Sequence, residues 1–589
     1  MNHITKMIRN MKTYKFIVII FNLLLCASFT YGQSQYDVVV SSSFTPSIND
    51  AQEKIMKPAS IIDTTNISPE VNYDIEDMVF SFEYTPQPIK APKVGKDQIT
   101  RLYRNYVKFG FGYLEPYLEF SHSNLRSKKL AYGVNVKHHS FFGKLKSFGP
   151  ASFSQSQLDL YGQMFVKDFI LNADANYHHH LVHCYGYNKD SLKKFYGVSD
   201  AVFPKAKDIA RQYHTAHANV SAISNYGKRS YKLAQTYALN YDFLFDNYKS
   251  YEHQLQAATS LFQKIDIKRL DLAKVGGDLN VNYYHNDWAV QNLKKDRWLF
   301  NLKPNIQFAY QNFSFRLGFD LALRLEDSTK FGIYPDIEAL LNVVPNILTF
   351  YVGIDGGMKH YSYLETMQLN PYLSDYLDLG FVNQHIRIYA GTKTNLSHSL
   401  FFGAGASLSL NDDMPFFFND TSTRYMLKDT TVNLYNTFKL VKSQCIHTNA
   451  HLNLTYNYKD IFNIMIGFDY NHYTVDSVKK PWFKPLFITS LEANYNLKDK
   501  FLFSFDFYIH TGAYYPSMKA DGSIKSEALK SVFDFNLGCE YRWNKRLSFF
   551  LDVNNFAAQR NYFYYQYPSE RINFLLGVKY IFGGEKIKK

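Results

Sequence analysis

Residues 313–326 read FSFRLGFDLALRLE, and this stretch decides the fold. Every second side chain from Phe313 to Leu325 is apolar, whereas the side chains between them are polar, charged or small. A period of two residues is that of a β-strand with one apolar and one polar face. Residues 500–510 and 572–582 repeat the pattern. The chain is therefore predicted to be all-β.

The same alternation continues from residue 101 to residue 583, in segments of roughly ten residues that would cross a bilayer at a tilt. About 22 such segments fit this span and 20–24 are compatible with it, because strand boundaries read from sequence shift by roughly two to four residues. Alternation alone also fits a soluble β-sandwich. The unbroken repeat, the 50 Phe and 48 Tyr and the aromatic end of the last strand favour a transmembrane antiparallel β-barrel.

The last predicted strand closes the barrel by pairing with the first. A short basic C-terminal tail, residues 584–589, follows it. The apolar face of this strand consists of Ile572, Phe574, Leu576, Val578, Tyr580 and Phe582.

The first 32 residues are predicted to be a secretory signal peptide, with a basic start, an apolar stretch from Phe16 to Leu25 and small residues before Gln33. Its removal takes away four cations and no anion, so the formal charge falls from +13 to about +9. Residues 33–100 carry six of the 18 prolines and show no helical period. We expect them to form an extended N-terminal arm in the periplasm or in the barrel lumen.

Four inserts are too long for tight turns. The long loops of membrane barrels lie on the outer side, where recognition takes place. We therefore expect these inserts at the outer end of the barrel: residues 188–212, 365–378, 412–430 and 511–529.

Sequence motifs of enzymes and cofactor sites are absent, including GxxxxGK[ST], HExxH, CxxC, the EF-hand loop and GxSxG. We therefore expect neither an enzyme nor a cofactor, although Ser, His and Asp dispersed over a barrel rim would leave no local motif. Cys184, Cys445 and Cys539 remain after the signal peptide, and an odd number of distant cysteines fits no disulfide framework.

One cluster of metal-ligating side chains stands out, formed by His178, His180 and His183. On a strand, His178 and His180 share a face with Asp174, so this HxH pair could bind Zn²⁺ or Cu²⁺ with His183 or Cys184 nearby. A polar strand end without a metal explains the same residues, because a metal site needs three or four ligands in a fixed geometry.

Charged residues on the polar strand faces form the second candidate site. In a barrel lumen they could select a solute or hold the N-terminal arm, and the alternative is a structural role in pairing across strands. The lumen-facing candidates are Arg316, Asp320, Arg324, Glu326, Asp336, Glu338, Arg387 and Lys393.

The positive net charge does not indicate nucleic-acid binding, because the cations are spread over strand ends and turns and the chain is expected to be exported. Contact with outer-membrane lipid and anionic lipopolysaccharide explains these cations better. Simple solubility of the loops explains them equally well.

Several stretches together carry a family resemblance: the Gln33 start with its proline-rich arm, LYRNYVKFG at 102–110, NLRS at 124–127, NPYL at 370–373 and LGVKYIF at 576–582. They resemble Bacteroidota outer-membrane β-barrel proteins, which are often labelled as TonB-dependent receptors. The resemblance implies an outer-membrane location, insertion by the barrel-assembly machinery and a role in transport. Residues 33–100 depart from the receptor pattern, because they contain no convincing TonB box or plug domain.

Two functions follow as hypotheses. In the first, the barrel binds or transports a solute across the outer membrane, with the outer loops as receptor and the arm as a gate or periplasmic contact. In the second, the barrel is blocked and the chain is a structural or assembly protein whose arm docks a periplasmic or surface protein partner.

Overall fold

The computed structural model describes residues 102–584 except 125–126, 128, 198, 200–202, 227–231, 421–423, 428–429 and 519–522. The predicted signal peptide and the predicted arm lie outside the described residues. Of the predicted tail, Gly584 is described, and it is the last residue of the final strand.

Twenty-two antiparallel strands form one closed sheet, in which each strand pairs with its neighbours in chain order and the last pairs with the first. This confirms the predicted all-β barrel of about 22 strands. The barrel strands are β1 (Tyr103–Gly112), β2 (Glu115–Ser123), β3 (Leu130–Phe141), β4 (Phe153–Val166), β5 (Phe169–His183), β6 (Ala210–Ser224), β7 (Ala234–Asp246), β8 (Tyr251–Lys264), β9 (Leu272–Trp288), β10 (Leu293–Tyr310), β11 (Phe313–Leu325), β12 (Lys330–Val344), β13 (Leu348–Tyr361), β14 (Gly380–Asn395), β15 (Leu400–Asn419), β18 (Phe438–Tyr458), β19 (Phe462–Val475), β20 (Phe487–Leu497), β21 (Phe501–Thr511), β24 (Val532–Arg542), β25 (Leu547–Asn554) and β28 (Asn573–Gly584).

The remaining elements lie in the connections between barrel strands. Three small hairpins pair β16 with β17, β22 with β23 and β26 with β27. Neither of the two α-helices in the described ranges has the length and apolar character needed to span a bilayer. These elements are β16 (Arg424–Leu427), β17 (Thr430–Asn433), β22 (Tyr514–Met518), β23 (Ile524–Ala528), β26 (Tyr562–Tyr564), β27 (Tyr567–Pro568), α1 (Lys189–Tyr196) and α2 (Tyr363–Leu369).

The seam between β1 and β28 closes the barrel. Their register runs from Tyr103 opposite Gly584 to Gly112 opposite Leu575. The seam gives the backbone groups of both strands hydrogen-bond partners and leaves neither strand as an open edge. The strand predicted for closure lies at this seam, although Ile572 precedes its first residue.

The barrel wall has an exposed apolar outer face and a more polar inner face. On β28, Phe574, Leu576 and Tyr580 are exposed, whereas Leu575 and Lys579 between them are buried. Alternation of this kind places successive side chains on opposite faces of the sheet. An apolar face turned away from the protein is the surface that contacts lipid in a membrane barrel.

The two ends of the barrel differ in the length of their connections. One end carries the first residue of β1, the last residue of β28 and short turns such as residues 167–168 and 311–312. Long loops occupy the opposite end: residues 142–152, 184–209, 362–379, 420–437, 476–486, 512–531 and 555–572. Membrane barrels have short periplasmic turns and longer outer loops.

The predicted inserts match these loops in part. Residues 365–378 fall within one loop, and residues 511–529 contain the β22–β23 hairpin. Residues 412–419 do not begin an insert as predicted, because they extend β15 along β18, with Phe417 opposite Leu440. Loops 142–152, 476–486 and 555–572 are absent from the prediction.

Candidate functional site: the loop cap and the inner wall

Five long loops pack together at one end of the barrel, and we call them the loop cap: residues 142–152, 184–209, 362–379, 420–437 and 555–572. Three of them leave the wall far apart, since eight barrel strands separate the β5–β6 loop from the β13–β14 loop and eight more separate that loop from the β25–β28 loop. Loops that start on different sides of the wall and contact one another must extend across the mouth. The loop cap therefore covers this end of the barrel.

Aromatic side chains form the centre of the loop cap. The rings of Tyr372 and Tyr567 stack with their centroids 3.8 Å apart, and Tyr185 meets Tyr567 edge-on at 4.9 Å. Phe438, at the start of β18, lies 5.8 Å from Tyr567 between ring centroids. Aromatic pairs contribute about 0.5–1.5 kcal/mol each beyond the burial of their area. The contacts join three loops and the start of β18, which are remote from one another in sequence.

Hydrogen bonds fix these aromatic residues to the backbone of neighbouring loops. The Tyr185 hydroxyl donates to the Pro568 carbonyl at 2.9 Å, and the Asn436 amide donates to the Cys184 carbonyl at 2.6 Å. The Tyr567 hydroxyl donates to the Asn436 carbonyl. Buried polar groups that keep such partners avoid a penalty of about 1–3 kcal/mol each. The loop cap is therefore packed as a protein core.

A buried ion pair anchors loop 362–379 of the cap to the wall. Arg211 on β6 and Asp246 on β7 are fully buried, with 3.2 Å between Nη2 and Oδ2. The same Nη2 donates to the Tyr363 hydroxyl at 2.8 Å and to the Ser374 carbonyl at 3.3 Å. The Tyr363 hydroxyl in turn donates to Asp246 Oδ2 at 2.7 Å. Loop 362–379 is thereby tied to two strands.

The carboxylate of Glu252 on β8 holds the first turn of α2. It accepts the backbone N–H groups of Tyr363 at 2.8 Å and Leu364 at 3.0 Å, which lack partners within the helix. Asn286 on β9 donates to this carboxylate at 2.8 Å and accepts from Arg297 on β10 at 2.7 Å. The network therefore runs along the rim from β6 to β10.

The charged residues predicted for the lumen are mostly paired with one another or with neighbouring strands. Half-exposed pairs such as Arg387 with Asp355 contribute about 0–1 kcal/mol each, whereas Asp320 and Arg324 are buried. Lys393 instead places its Nζ 5.5 Å from the ring centroid of Tyr351. The ion-pair distances are 3.2 Å for Arg316–Asp336, 4.0 Å for Arg316–Glu338, 3.3 Å for Lys303–Asp320, 3.8 Å for Arg324–Glu326 and 2.9 Å from Arg387 Nε to Asp355 Oδ1.

The three histidines of the predicted metal site have separate partners. His178 Nε2 lies 3.7 Å from Asp159, His180 contacts Gln155, and His183 Nδ1 lies 2.6 Å from the Ser152 carbonyl oxygen. The described residues contain no group of three or more His, Cys, Asp or Glu side chains able to hold a metal. The metal site remains a prediction from sequence that the geometry does not support.

A polar cavity of about 300 Å³ opens on the inner wall beside α2. It is lined by β7 to β10 and β13, and its lining includes Gln254, Asn280, Lys303 and His360. Amide side chains predominate over charged ones among the strand residues. The cavity lies directly below the rim network that anchors the loop cap.

Sequence reasoning missed the residues that build this site. Arg211, Asp246 and Glu252 lie at strand ends, where alternation carries the least information about neighbours. A weak signal was present, since Arg211 and Tyr213 share the inward face of β6. Their partners in loop 362–379 are more than 150 positions away in the chain.

Replacing Arg211 with Ala is expected to loosen loop 362–379, because it leaves the Asp246 carboxylate buried without its cation. Loss of one partner of a buried pair costs about 3–5 kcal/mol. Limited proteolysis of the folded barrel should then cut loop 362–379 faster, and urea unfolding should show the lost stability. Arg387→Ala, which removes a partly exposed pair with Asp355, is the matched control; equal effects of both variants would contradict the anchoring role.

Glu570 in the loop cap gives a pH prediction. Burial, with repulsion from Glu115, raises the pKa of its carboxyl to about 8 from an ordinary value of 4.5. The folded chain therefore keeps a proton that the unfolded chain releases, and stability falls as the pH rises between these two values. Glu570→Gln should remove this part of the decline when unfolding is measured across the window. Asp190→Asn, which removes an exposed carboxylate of α1, is the control, and parallel profiles for Glu570→Gln and the parent chain would contradict the prediction.

No protein-family model matches this chain, and no curated protein matches it in sequence. Solved structures do match its shape. The siderophore receptor PirA from Acinetobacter baumannii superposes with a TM-score of 0.61 at 9% identity, covering 82% of this chain and 81% of that one.

Two further solved structures match the fold of this chain. The ferric-catecholate import receptor Fiu from E. coli gives a TM-score of 0.59 at 10% identity, with 82% of each chain covered. The pyoverdine outer membrane receptor FpvA from Pseudomonas aeruginosa gives 0.59 at 11% identity, covering 82% of this chain and 79% of that one. At such identities the likeness concerns the fold: this chain has the 22-stranded barrel fold of TonB-dependent receptors.

Proposed function

We propose that this protein resides in the outer membrane and binds or transports a solute through a barrel that its outer loops cover. The observation that carries the proposal is the packed loop cap above a polar cavity in the inner wall. The structural neighbours are described as siderophore or iron receptors, which supports transport of a solute. The same proposal includes contact with outer-membrane lipid and lipopolysaccharide and insertion by the barrel-assembly machinery.

The exposed outer face supports the membrane location. Leu239 at the middle of β7 is 51% exposed, whereas the neighbouring Asn240 faces inward and donates to Gln256 at 3.1 Å. An outward band of apolar side chains without protein neighbours is the surface that a membrane barrel turns to lipid.

The Leu239→Arg variant tests this location. An arginine on the lipid face near the bilayer midplane costs about 2–4 kcal/mol. Asn240→Arg is the matched control, because it introduces the same side chain at the same depth on the inner face. Urea unfolding from lipid vesicles should show the larger loss for Leu239→Arg. Equal losses, or the larger loss for the control, would contradict a lipid-facing outer surface.

The loop cap is proposed to act as the outer gate. It closes the end of the barrel that carries long loops, whereas β1 begins at the opposite end, so residues 33–100 join the barrel from the periplasmic side. A solute would thus have to pass both the loop cap and any contact made by the arm. The inner wall between them carries paired charges and free amides.

Single-channel conductance in planar bilayers tests the gate. We would compare the full chain, a form without residues 33–100, a form with residues 364–377 replaced by a short Gly-Ser linker, and a form with both changes. The last form is expected to conduct, because both obstacles are gone. Shortening the β8–β9 connection, residues 265–271 at the opposite end of the barrel, is the control and should not open the barrel.

A blocked barrel is the second candidate, and the core-like packing of the loop cap favours it. If the form without both obstacles carries no current, the barrel is filled and the transport proposal fails. The arm would then be a docking segment for a periplasmic or surface protein partner.

A further inference from the structure

We propose that the cavity beside α2 binds a neutral, hydroxyl-rich solute such as a small sugar, held by His360 and by amides of β8, β9 and β10. The proposal deepens the function proposed above and rests on it, since it names the solute class that the inner wall accepts. No residue of this cavity belongs to the candidate metal site or to the charged set predicted from sequence.

His360 on β13 is the first observation. Its side chain is buried, and its ring stacks on Tyr284 with 3.9 Å between centroids and meets Phe381 edge-on at 5.1 Å. Neither ring nitrogen has a hydrogen-bond partner among the described residues. A neutral imidazole offers one donor and one acceptor, and leaving both unmade in a buried site is costly. Both nitrogens are shielded by the surrounding side chains, so a ligand hydroxyl satisfies one of them once those neighbours shift.

The amides lining the cavity are the second observation. Gln254 uses its nitrogen to donate to Glu252 at 2.8 Å, and Gln256 uses its oxygen to accept from Asn240 at 3.1 Å. Each amide therefore has one end left for a ligand. Asn280 makes no side-chain hydrogen bond to another described residue. Free donors and acceptors thus alternate along the wall.

Both lysines of the cavity lining have carboxylate partners, Lys303 with Asp320 at 3.3 Å and Lys359 with Glu365 at 3.2 Å. Asp242, the other carboxylate of the lining, is hydrogen-bonded to His217 at 2.7 Å. No cation of the lining is therefore left unpaired for an anionic ligand. Neutral hydroxyl groups, which both donate and accept, match the remaining amides and the imidazole.

The size of the cavity agrees with a small molecule. Its volume of about 300 Å³ is at the lower end of the range of about 300–1,000 Å³ for small-molecule pockets. A neutral mono- or disaccharide is therefore the appropriate probe, and a longer chain would have to extend into the lumen.

The test is isothermal titration of the full chain in detergent with glucose, N-acetylglucosamine, maltose and sucrose, and with citrate as the charged counterpart. At least one sugar should bind and citrate should not. His360→Phe keeps the ring stack and removes both nitrogens, so it should weaken binding by about tenfold, the equivalent of roughly one lost hydrogen bond. Asn280→Leu should also weaken binding. This variant tests the proposal if His360→Phe does not fold.

His451→Phe is the matched control, because His451 faces inward on β18, which contributes nothing to the cavity lining. It should bind the sugar as the parent chain does. The proposal is overturned if no sugar binds, if citrate binds as well, or if the cavity variants and the control behave alike. It is also overturned if sugar binds only after residues 33–100 are removed, because the arm would then be the occupant of the cavity.

The outcome is separable from that of the conductance experiment. If the barrel conducts but binds no sugar, the transport proposal stands and this inference is wrong. If sugar binding depends on His360 but the barrel never conducts, this inference stands and the transport proposal is wrong.

Discussion

The pairing of β1 with β28 is the constraint on which the rest of the structure depends. A sheet of 22 strands with two open edges would leave rows of unpaired N–H and C=O groups, which a lipid environment cannot satisfy. Closing the sheet gives every barrel strand two neighbours. Only in the closed sheet does one set of alternate side chains face lipid while the other set faces the lumen. The inner wall and the loop cap can form only once the barrel is closed.

The loop cap shows how a barrel can have a second core outside its wall. Its centre, at Tyr372, Tyr567 and Phe438, joins loops that leave the wall on different sides. The buried Arg211–Asp246 pair stabilises the cap only as a unit with Tyr363, because each of these groups would be costly if left alone in the interior.

The candidate site was only partly predictable from the sequence. Alternation placed Arg316, Asp320 and Arg387 on one set of strand faces, and the structure gives them ion-pair partners across strands or beside them. It gave no indication of Glu252 or His360, since Glu252 matters through the β13–β14 loop and His360 through the rings of Tyr284 and Phe381 on other strands. The HxH pattern at His178 drew attention because local spacing is visible in a sequence, whereas a cavity is not.

The sequence by itself determined the strand period, the approximate strand number and the apolar outer face, because a period of two residues follows directly from backbone geometry. The tertiary structure alone decided which loops meet over the mouth, which charges are paired and where an unpartnered imidazole faces a cavity. The meeting of the loops depends on contacts between residues more than 100 positions apart, such as Arg211 with Tyr363 and Tyr185 with Pro568. No local pattern encodes such contacts, since closure of the barrel is what brings the loops together.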